Sequence, residues 1–169
     1  MTRFSGITAD DLDPSTARHP LVHQRTAYLK LRYFIDKGCI FVGHGLQNDF
    51  DTANIFVPPS QVNVLSSYVT SFVISSVFCN YLPQVRDTVE LWRLPNQRKI
   101  SLRFLAAYLL GADIQDEIHD SVEDAKTALL LFRHFIRTAS MGKEHLQATL
   151  RELYNYGTRT NWTLGLERI

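Results

Sequence analysis

The chain contains the run Cys39-Ile40-Phe41-Val42-Gly43-His44-Gly45-Leu46-Gln47-Asn48-Asp49-Phe50. Its first four residues form an unbroken apolar stretch that ends at glycine, which predicts a short strand buried on both faces, as in α/β sheets. Leu46 to Phe56 is predicted to form a helix that Pro58-Pro59 closes. Asp49 would therefore lie in the first turns of a helix that directly follows a strand.

Further helices and one strand are predicted on either side of this unit. Thr26 to Lys37 has apolar residues at helical spacing and is followed by Gly38 as a stop signal. Residues 85–92 alternate as a strand does, with Asp87 as a charged exception on the apolar side. Three more helices are predicted from Ser101 to Gly111, from Ser121 to Ile136 and from Glu144 to Tyr156, with Ser101 and Ser121 as N-caps.

Composition restricts the class of protein. The 169 residues are 45% apolar and 11% aromatic, which suffices for one packed domain. The formal net charge is +1, so any nucleic-acid binding must be local. Cys39 and Cys79 lack the spacing of a zinc site and suit a reduced protein of the cytosol or nucleus. The N-terminus has no readable signal or transit peptide.

The segment from Thr52 to Val85 contains no Asp, Glu, Lys, Arg or His. It is rich in Val, Ser and aromatic residues, which raises the question of a membrane span. Polar residues such as Asn63 and Thr70 are spread along it, and no basic cluster precedes it, so we expect no membrane helix.

Three side chains at predicted helix starts could carry chemistry: Asp49, His119 and Asp124. In an α/β sheet, catalytic groups gather at the carboxyl ends of the strands, so these residues can converge. Two carboxylates can hold divalent cations for phosphodiester hydrolysis, with Mg²⁺ or Mn²⁺ favoured by oxygen ligands. A histidine beside them can accept a proton from water at neutral pH, and His119 is the candidate.

Simpler interpretations compete with each of these assignments. Ser121-Val122-Glu123-Asp124 fits a capping box, and Asp49 could only favour the positive end of a helix dipole. The other histidines are interpreted as structural or solvent-facing; they include His44, His134 and His145. A basic cluster could bind RNA phosphates or form a solvated loop; its members are Arg93, Arg98, Lys99 and Arg103.

Two stretches together resemble motifs of DEDD-class exonucleases. Val42 to Phe50 is similar to the second motif of that class, and His119-Asp120-Ser121-Val122-Glu123-Asp124-Ala125 is similar to the third. The step from His119 to Asp124 is similar to the histidine-containing branch. The resemblance implies an RNase H-like α/β fold and two divalent cations, with His119 as general base and Asp49 and Asp124 as metal ligands.

Within that class the chain most resembles the catalytic subunits of Pan-type deadenylases. The similarity rests on Thr2–Ile7, Tyr28–Arg32, Phe41–Phe50, Arg86–Val89, Ile100–Leu105 and His119–Ala125. It implies 3'-to-5' hydrolysis of messenger poly(A) tails to AMP, a Pan regulatory subunit as partner, and a cytoplasmic location that includes P-bodies, with the nucleus as alternative. Rex-type RNA exonucleases share the third motif and Arg86-Asp87-Thr88, although Gly45-Leu46-Gln47 favours the Pan family.

Two departures from the family pattern give further expectations. The class takes its first two carboxylates from an Asp-x-Glu strand, and no such motif precedes Asp49; Asp10-Asp11-Leu12-Asp13 is interpreted as a turn or helix start. We therefore expect residues 1–169 to be a partial RNase H-like domain without its opening strands, with incompletely liganded cations and no activity alone. The alternatives are a non-catalytic remnant or interaction module, and an all-helical HD-type phosphohydrolase built on His119-Asp120, His44 and Asp124.

The second departure is an insertion within the charge-free segment. Removal of residues 62–84 joins Gln61 to Val85 and restores a family-like Pro-Pro-Ser-Gln-Val-Arg-Asp-Thr. Gln61-Val62-Asn63 can be encoded by a splice donor and Pro83-Gln84 by an acceptor, so we hypothesise a retained in-frame intron. A lineage-specific loop is the alternative, because the entropic cost of closing a loop grows slowly with its length.

Overall fold

The computed structural model describes residues 7–17, 20–56, 84–114 and 120–163. In chain order it contains a 3-10 turn Asp10–Leu12, helix α1 Gln24–Asp36, strand β1 Ile40–Gly43, helix α2 Gln47–Thr52, strand β2 Gln84–Asp87, helix α3 Thr88–Leu91, helix α4 Leu102–Leu105 with a π-helical continuation Ala106–Leu110, helix α5 Ser121–Ser140 and helix α6 Lys143–Arg159. His119 and all of the proposed insertion except Gln84 lie outside the described residues.

Strands β1 and β2 pair in parallel, with Ile40 beside Gln84 and Gly43 beside Asp87. Parallel strands need a crossover connection, which is typical of α/β proteins. The α/β prediction is confirmed, and the all-helical HD-type alternative is wrong. Since both strands run in the same direction, the residues that follow Gly43 and Asp87 meet at one edge of the sheet.

Apolar side chains pack into two clusters on either side of the chain's midpoint. The N-terminal cluster contains Ile35, Phe50, Ile55 and Val85, from α1, α2 and β2. The C-terminal cluster is larger; its buried members include Trp92, Phe104, Leu105, Leu131, Phe135 and Leu153. Helix α5 packs against β1 as well as against α3, α4 and α6. It is therefore the element that holds the two clusters together.

Both strand predictions need correction. β1 was expected to be buried on both faces, but Ile40 is 52% exposed and only Gly43 is fully buried, because β2 covers one edge and α5 one face. The predicted strand over residues 85–92 ends at Asp87, where α3 begins. The reason is that the Asp87 side chain caps α3 by accepting a hydrogen bond from Val89 N–H.

Helix α2 is shorter than predicted, because it ends at Thr52 rather than Phe56. Asn54 has φ 55°, in the left-handed region, and the N–H of Ile55 donates back to the carbonyl of Phe50 at 2.8 Å. This is the geometry of a Schellman termination, which closes a helix without proline. The helix-ending signal was therefore asparagine rather than the prolines.

The longer helices follow their predictions closely. Helix α1 ends before Gly38, which has φ 71°, and Ser101 caps α4 through the N–H of Phe104 at 3.3 Å. Helix α5 begins where predicted, but its N-cap is Asp120 rather than Ser121, since the Asp120 carboxylate accepts from Val122 N–H. Within the described ranges, no helix combines the length and apolar character that a membrane crossing needs.

Candidate active site

A cavity of about 480 Å³ opens where β1 ends, between α2 and α5. Its position agrees with the rule that α/β proteins bind ligands beyond the carboxyl ends of their strands. The lining residues are Val42, Gly43, His44, Leu46, Asp49, Ser101, Leu102, Ser121, Asp124, Ala125 and Ala128. Two sequence-predicted carboxylates, Asp49 and Asp124, thus line one cavity although they lie far apart in the sequence.

Asp49 enters the cavity from the first turn of α2. The residue is exposed at the rim, and partial burial of its carboxyl raises the pKa above the ordinary value of 3.8; repulsion from Asp87 acts in the same direction. A carboxyl in this position has lost part of its hydration, so its charged form is stabilised by any cation that approaches.

Asp124 reaches the cavity from the opposite wall, near the start of α5. It is half-buried, and its own backbone N–H donates to the carbonyl of Asp120 as a regular helical bond. Because Asp120 is the N-cap, Asp124 stands one residue beyond the position that a capping box would use. The capping-box interpretation of Asp124 is therefore not supported, and its carboxylate belongs to the cavity wall.

A turn at Gly43–Leu46 forms one wall of the cavity. Asp87 holds this turn through hydrogen bonds to its backbone. One carboxylate oxygen of Asp87 accepts from Gly45 N–H at 2.9 Å, and the other accepts from Leu46 N–H at 3.0 Å. Gly45 has φ 79°, which directs both N–H groups to the same side and favours glycine. Asp87 is only 5% exposed, so the charged exception seen in the strand pattern is a buried anchor.

His44 and Thr88 form the second link between the turn and β2. The Thr88 hydroxyl donates to the Gly43 carbonyl at 2.9 Å, and His44 Nδ1 lies 2.9 Å from the same hydroxyl oxygen. Burial lowers the pKa of His44, while attraction to Asp87, a hydrogen bond with the Ile100 carbonyl and attraction to Asp124 oppose that shift. The structural interpretation of His44 fits this geometry, and its ring also lines the cavity.

The donor atoms of the cavity suit a hard divalent cation. Asp49 and Asp124 supply carboxylate oxygens, which Mg²⁺ and Mn²⁺ prefer, and water completes such sites in many proteins. Among the described residues, no group of three or more His, Cys, Asp or Glu side chains is clustered in metal-binding geometry. The described part of the chain therefore fits a divalent cation as part of a larger ligand set.

The four basic candidates for RNA contact occupy the surface near α3 and α4. Arg93 and Lys99 both pair with Glu90, at 3.3 and 3.7 Å, and Arg103 pairs with Asp113 at 3.3 Å. The Arg98 guanidinium lies over the Trp162 ring, 4.6 Å from its centroid. None of the four lines the cavity, so their role in RNA binding stays a prediction.

Sequence reasoning missed Asp87 and Thr88 as parts of the site. His119, the candidate base, lies outside the described residues, although it directly precedes the N-cap Asp120. The signal for Asp87 was present, since a charged residue on the apolar side of a predicted strand must be paired or hydrogen-bonded. Its partners were not readable, because they lie more than forty residues earlier.

Residues 1–132 match the model of the RNase_T family, described as exonuclease. The PAN2–PAN3 deadenylation complex catalytic subunit PAN2 of Cryptococcus neoformans is 46% identical over 160 residues, which are 94% of this chain and 12% of that protein. The human PAN2 subunit is 40% identical over 164 residues, which are 96% of this chain and 12% of that protein. The chain thus spans about 12% of the length of these relatives.

Solved structures give the same result. The Neurospora crassa Pan2 catalytic unit, with protease and nuclease domains, matches with a TM-score of 0.71 and 42% identity, over 91% of this chain and 21% of that one. The Saccharomyces cerevisiae Pan2 pseudoubiquitin hydrolase-RNA exonuclease module in complex with A7 RNA matches with a TM-score of 0.76 and 36% identity, over 98% of this chain and 23% of that one. The chain therefore belongs to the RNase_T exonuclease family, has its RNase H-like fold, and within it is similar to the Pan2 catalytic subunits of deadenylation complexes.

Proposed function

We propose that this chain is the nuclease module of a Pan2-type subunit, which hydrolyses messenger poly(A) tails from the 3' end and releases AMP. The observation that carries the proposal is that Asp49 and Asp124 line one cavity at the carboxyl end of β1. Either carboxylate alone has a structural explanation. Their meeting in one cavity is expected of a nuclease site.

The residues of the chain have separate roles in this reaction. Asp49 and Asp124 would hold two divalent cations, Mg²⁺ or Mn²⁺, together with ligands that the described residues do not supply. When bound, such cations make water a better nucleophile and offset negative charge on the phosphodiester. His119 accepts a proton from the attacking water. A new oxygen–phosphorus bond forms, the bond from phosphorus to the 3'-oxygen breaks, and that oxygen takes up a proton.

The wider setting follows from the relatives. The PAN2 subunits are named as parts of a PAN2–PAN3 complex, and a related Pan2 module was solved with A7 RNA. We therefore infer RNA as the substrate and the Pan regulatory subunit as the partner of the longer protein; a cytoplasmic location, with the nucleus as alternative, stays a prediction from the sequence. Arg93, Arg98, Lys99 and Arg103 are candidates for contacts to the RNA backbone outside the cavity.

The test uses the chain completed with the Asp-x-Glu strands of a relative, because that motif does not precede Asp49 here. With Mn²⁺ and a 5'-labelled A20 RNA, we expect stepwise shortening of the labelled RNA from its 3' end. His119→Ala and Asp124→Ala should each reduce the rate by more than about 100-fold, while the melting temperature changes little.

The matched control is Asp120→Ala, which removes the N-cap of α5 and should lower stability by about 1 kcal/mol without an equal loss of turnover at low temperature. If Asp124→Ala behaves like Asp120→Ala, the carboxylate is structural and the proposal is wrong. Equal cleavage of A20 and mixed-sequence RNA would favour a Rex-type exonuclease. No cleavage by the completed chain would favour a non-catalytic interaction module.

A further inference from the structure

The side chains of Asp87 and Thr88 form one unit, here termed the 87–88 clamp. Asp87 accepts three backbone N–H bonds, from Gly45, Leu46 and Val89, at 2.9 to 3.0 Å. Thr88, which is 0% exposed, donates to the Gly43 carbonyl. The clamp thus binds the carbonyl at the start of the turn between β1 and α2 and the N–H groups at its end. Neither residue of the clamp lines the cavity.

Burial of the Asp87 carboxylate costs free energy, which indicates that this residue positions other groups. A carboxylate at 5% exposure is strongly disfavoured unless its oxygens are hydrogen-bonded, and capping the four-residue helix α3 needs only one of its three bonds. The other two bonds reach the turn that leads into α2. Because Asp49 is the third residue of α2, the orientation of its carboxylate depends on where this turn places the helix.

The same turn directs His44 toward the cavity. The Thr88 hydroxyl lies 2.9 Å from both the Gly43 carbonyl oxygen and His44 Nδ1, so it is hydrogen-bonded within the turn and to the imidazole. This bond fixes the plane of the imidazole in the cavity wall. A Cβ on Gly43 would overlap the Leu46 side chain, so a larger residue at this position would displace Leu46.

We propose that the 87–88 clamp is a positioning device for the cation site: it fixes the Gly43–Leu46 turn so that Asp49 faces Asp124 across the cavity. The inference rests on the proposed function, since it concerns the cations that Asp49 and Asp124 would bind. Residues that orient metal ligands in other proteins typically alter metal affinity by about 10- to 100-fold when they are replaced.

The experiment measures Mn²⁺ dissociation constants of the 169-residue chain by electron paramagnetic resonance, together with amide hydrogen exchange at Gly45 and Leu46. Asp87→Asn has the same shape but only one acceptor oxygen, and its NH₂ would face an N–H group. We expect Asp87→Asn to weaken Mn²⁺ binding by at least about 10-fold and to speed exchange at both amides.

A second pair of variants covers the case in which Asp87→Asn fails to fold. Thr88→Val keeps the shape but removes the hydroxyl, and should weaken Mn²⁺ binding, whereas Thr88→Ser keeps the hydroxyl and should restore it. Leu150→Ala in α6 is the stability control, because it destabilises a buried site that does not line the cavity. It should leave Mn²⁺ binding unchanged.

The possible results separate the two proposals. If wild type binds Mn²⁺ and Asp87→Asn and Thr88→Val bind it as Leu150→Ala does, the clamp is only structural and the inference is overturned. If wild type binds Mn²⁺ no better than an Asp49→Asn/Asp124→Asn double variant, these two carboxylates hold no cation in this chain and the clamp inference is overturned, whereas the proposed function is judged separately by RNA cleavage in the completed chain.

Discussion

The elements before β2 and the helices after it bury their apolar side chains to different extents. In the C-terminal half, Trp92, Leu105, Leu131 and Leu153 are each 0% exposed. In the N-terminal half Ile35 is buried, yet Leu29, Tyr33, Phe34 and Ile40 on α1 and β1 are between 48 and 58% exposed. Apolar side chains such as Leu130 and Met141 are exposed in the C-terminal half as well, so among the described residues the two halves differ in the size of the buried cluster, which is larger after β2.

The site joins these two halves. Asp124 comes from α5, which is packed on several sides, whereas Asp49 comes from α2, a short helix before β2. The bonds from Asp87 to the turn at Gly45 cross between the halves. We infer that the hydrogen bonds from Asp87 hold Asp49's helix in place in the half with the smaller buried cluster. The following predictions test this comparison of the two halves.

The largest effect on the free energy of unfolding is expected for Leu131→Ala, in the larger C-terminal cluster. Leu131 is fully buried in α5, and its carbonyl accepts a hydrogen bond from the indole N–H of Trp92. Removal of its side chain should lower the free energy of unfolding by about 3 kcal/mol or more, because closed surroundings leave a cavity. Urea unfolding followed by circular dichroism measures it, and a loss below about 1 kcal/mol would contradict the comparison.

Ile35→Ala should have a smaller effect, near the low end of about 2 to 5 kcal/mol for such changes. Ile35 is 1% exposed, but its neighbours Tyr28 and Leu31 are only partly buried and can relax into the space. The same urea experiment applies. A loss equal to that of Leu131→Ala would mean that the two cores are equally rigid.

Deletion of residues 62–84 should raise soluble yield and slightly increase stability. The deleted segment is uncharged and β-prone, which is the composition of aggregation-prone sequence. Gln84 pairs with Ile40 in β2, and after the deletion Gln61 would occupy that position, so the strand keeps its sequence. The deletion leaves about a quarter of the connection between α2 and β2, which contributes about 1 kcal/mol through loop closure.

The deletion is checked by comparing thermal unfolding of the two chains and by sequencing transcripts. A lower melting temperature for the shortened chain would make the segment part of the core. Transcripts that all contain it would exclude a retained intron.

The smallest effect is expected for the pH dependence of the melting temperature. It is tested with one histidine in each half of the chain, His44 and His134. Burial lowers the pKa of His44 at the site and of His134 in α5, where Arg137 adds to the shift. A depressed histidine pKa contributes stability above the unfolded value of about 6.5, and this is lost as pH falls through the folded value. His44→Gln and His134→Gln should each make the melting temperature less dependent on pH between 7.5 and 5.5, judged against His145→Gln as an exposed control. If the dependence of the melting temperature on pH is unchanged in both histidine variants, other groups cause the loss of stability at low pH.

Much of the local structure was readable from sequence. The apolar periodicity of α1, α5 and α6 and the glycine stop at Gly38 gave helices close to those observed, because amphipathic spacing and capping act within a few residues. Asp49 and Asp124 were recognised from motif spacing. The length of α2 was not, since Asn54 competes locally with the prolines as a helix end.

The sequence by itself determined the α/β class, the positions of the longer helices and the carboxylates that line the cavity, because these depend on short-range patterns. Only the tertiary structure decided that the second strand stops at Asp87 and that this residue is buried. The reason is that its bonds to Gly45 and Leu46 connect residues far apart in the chain, and burial of a carboxylate is tolerable only once those N–H groups are in place.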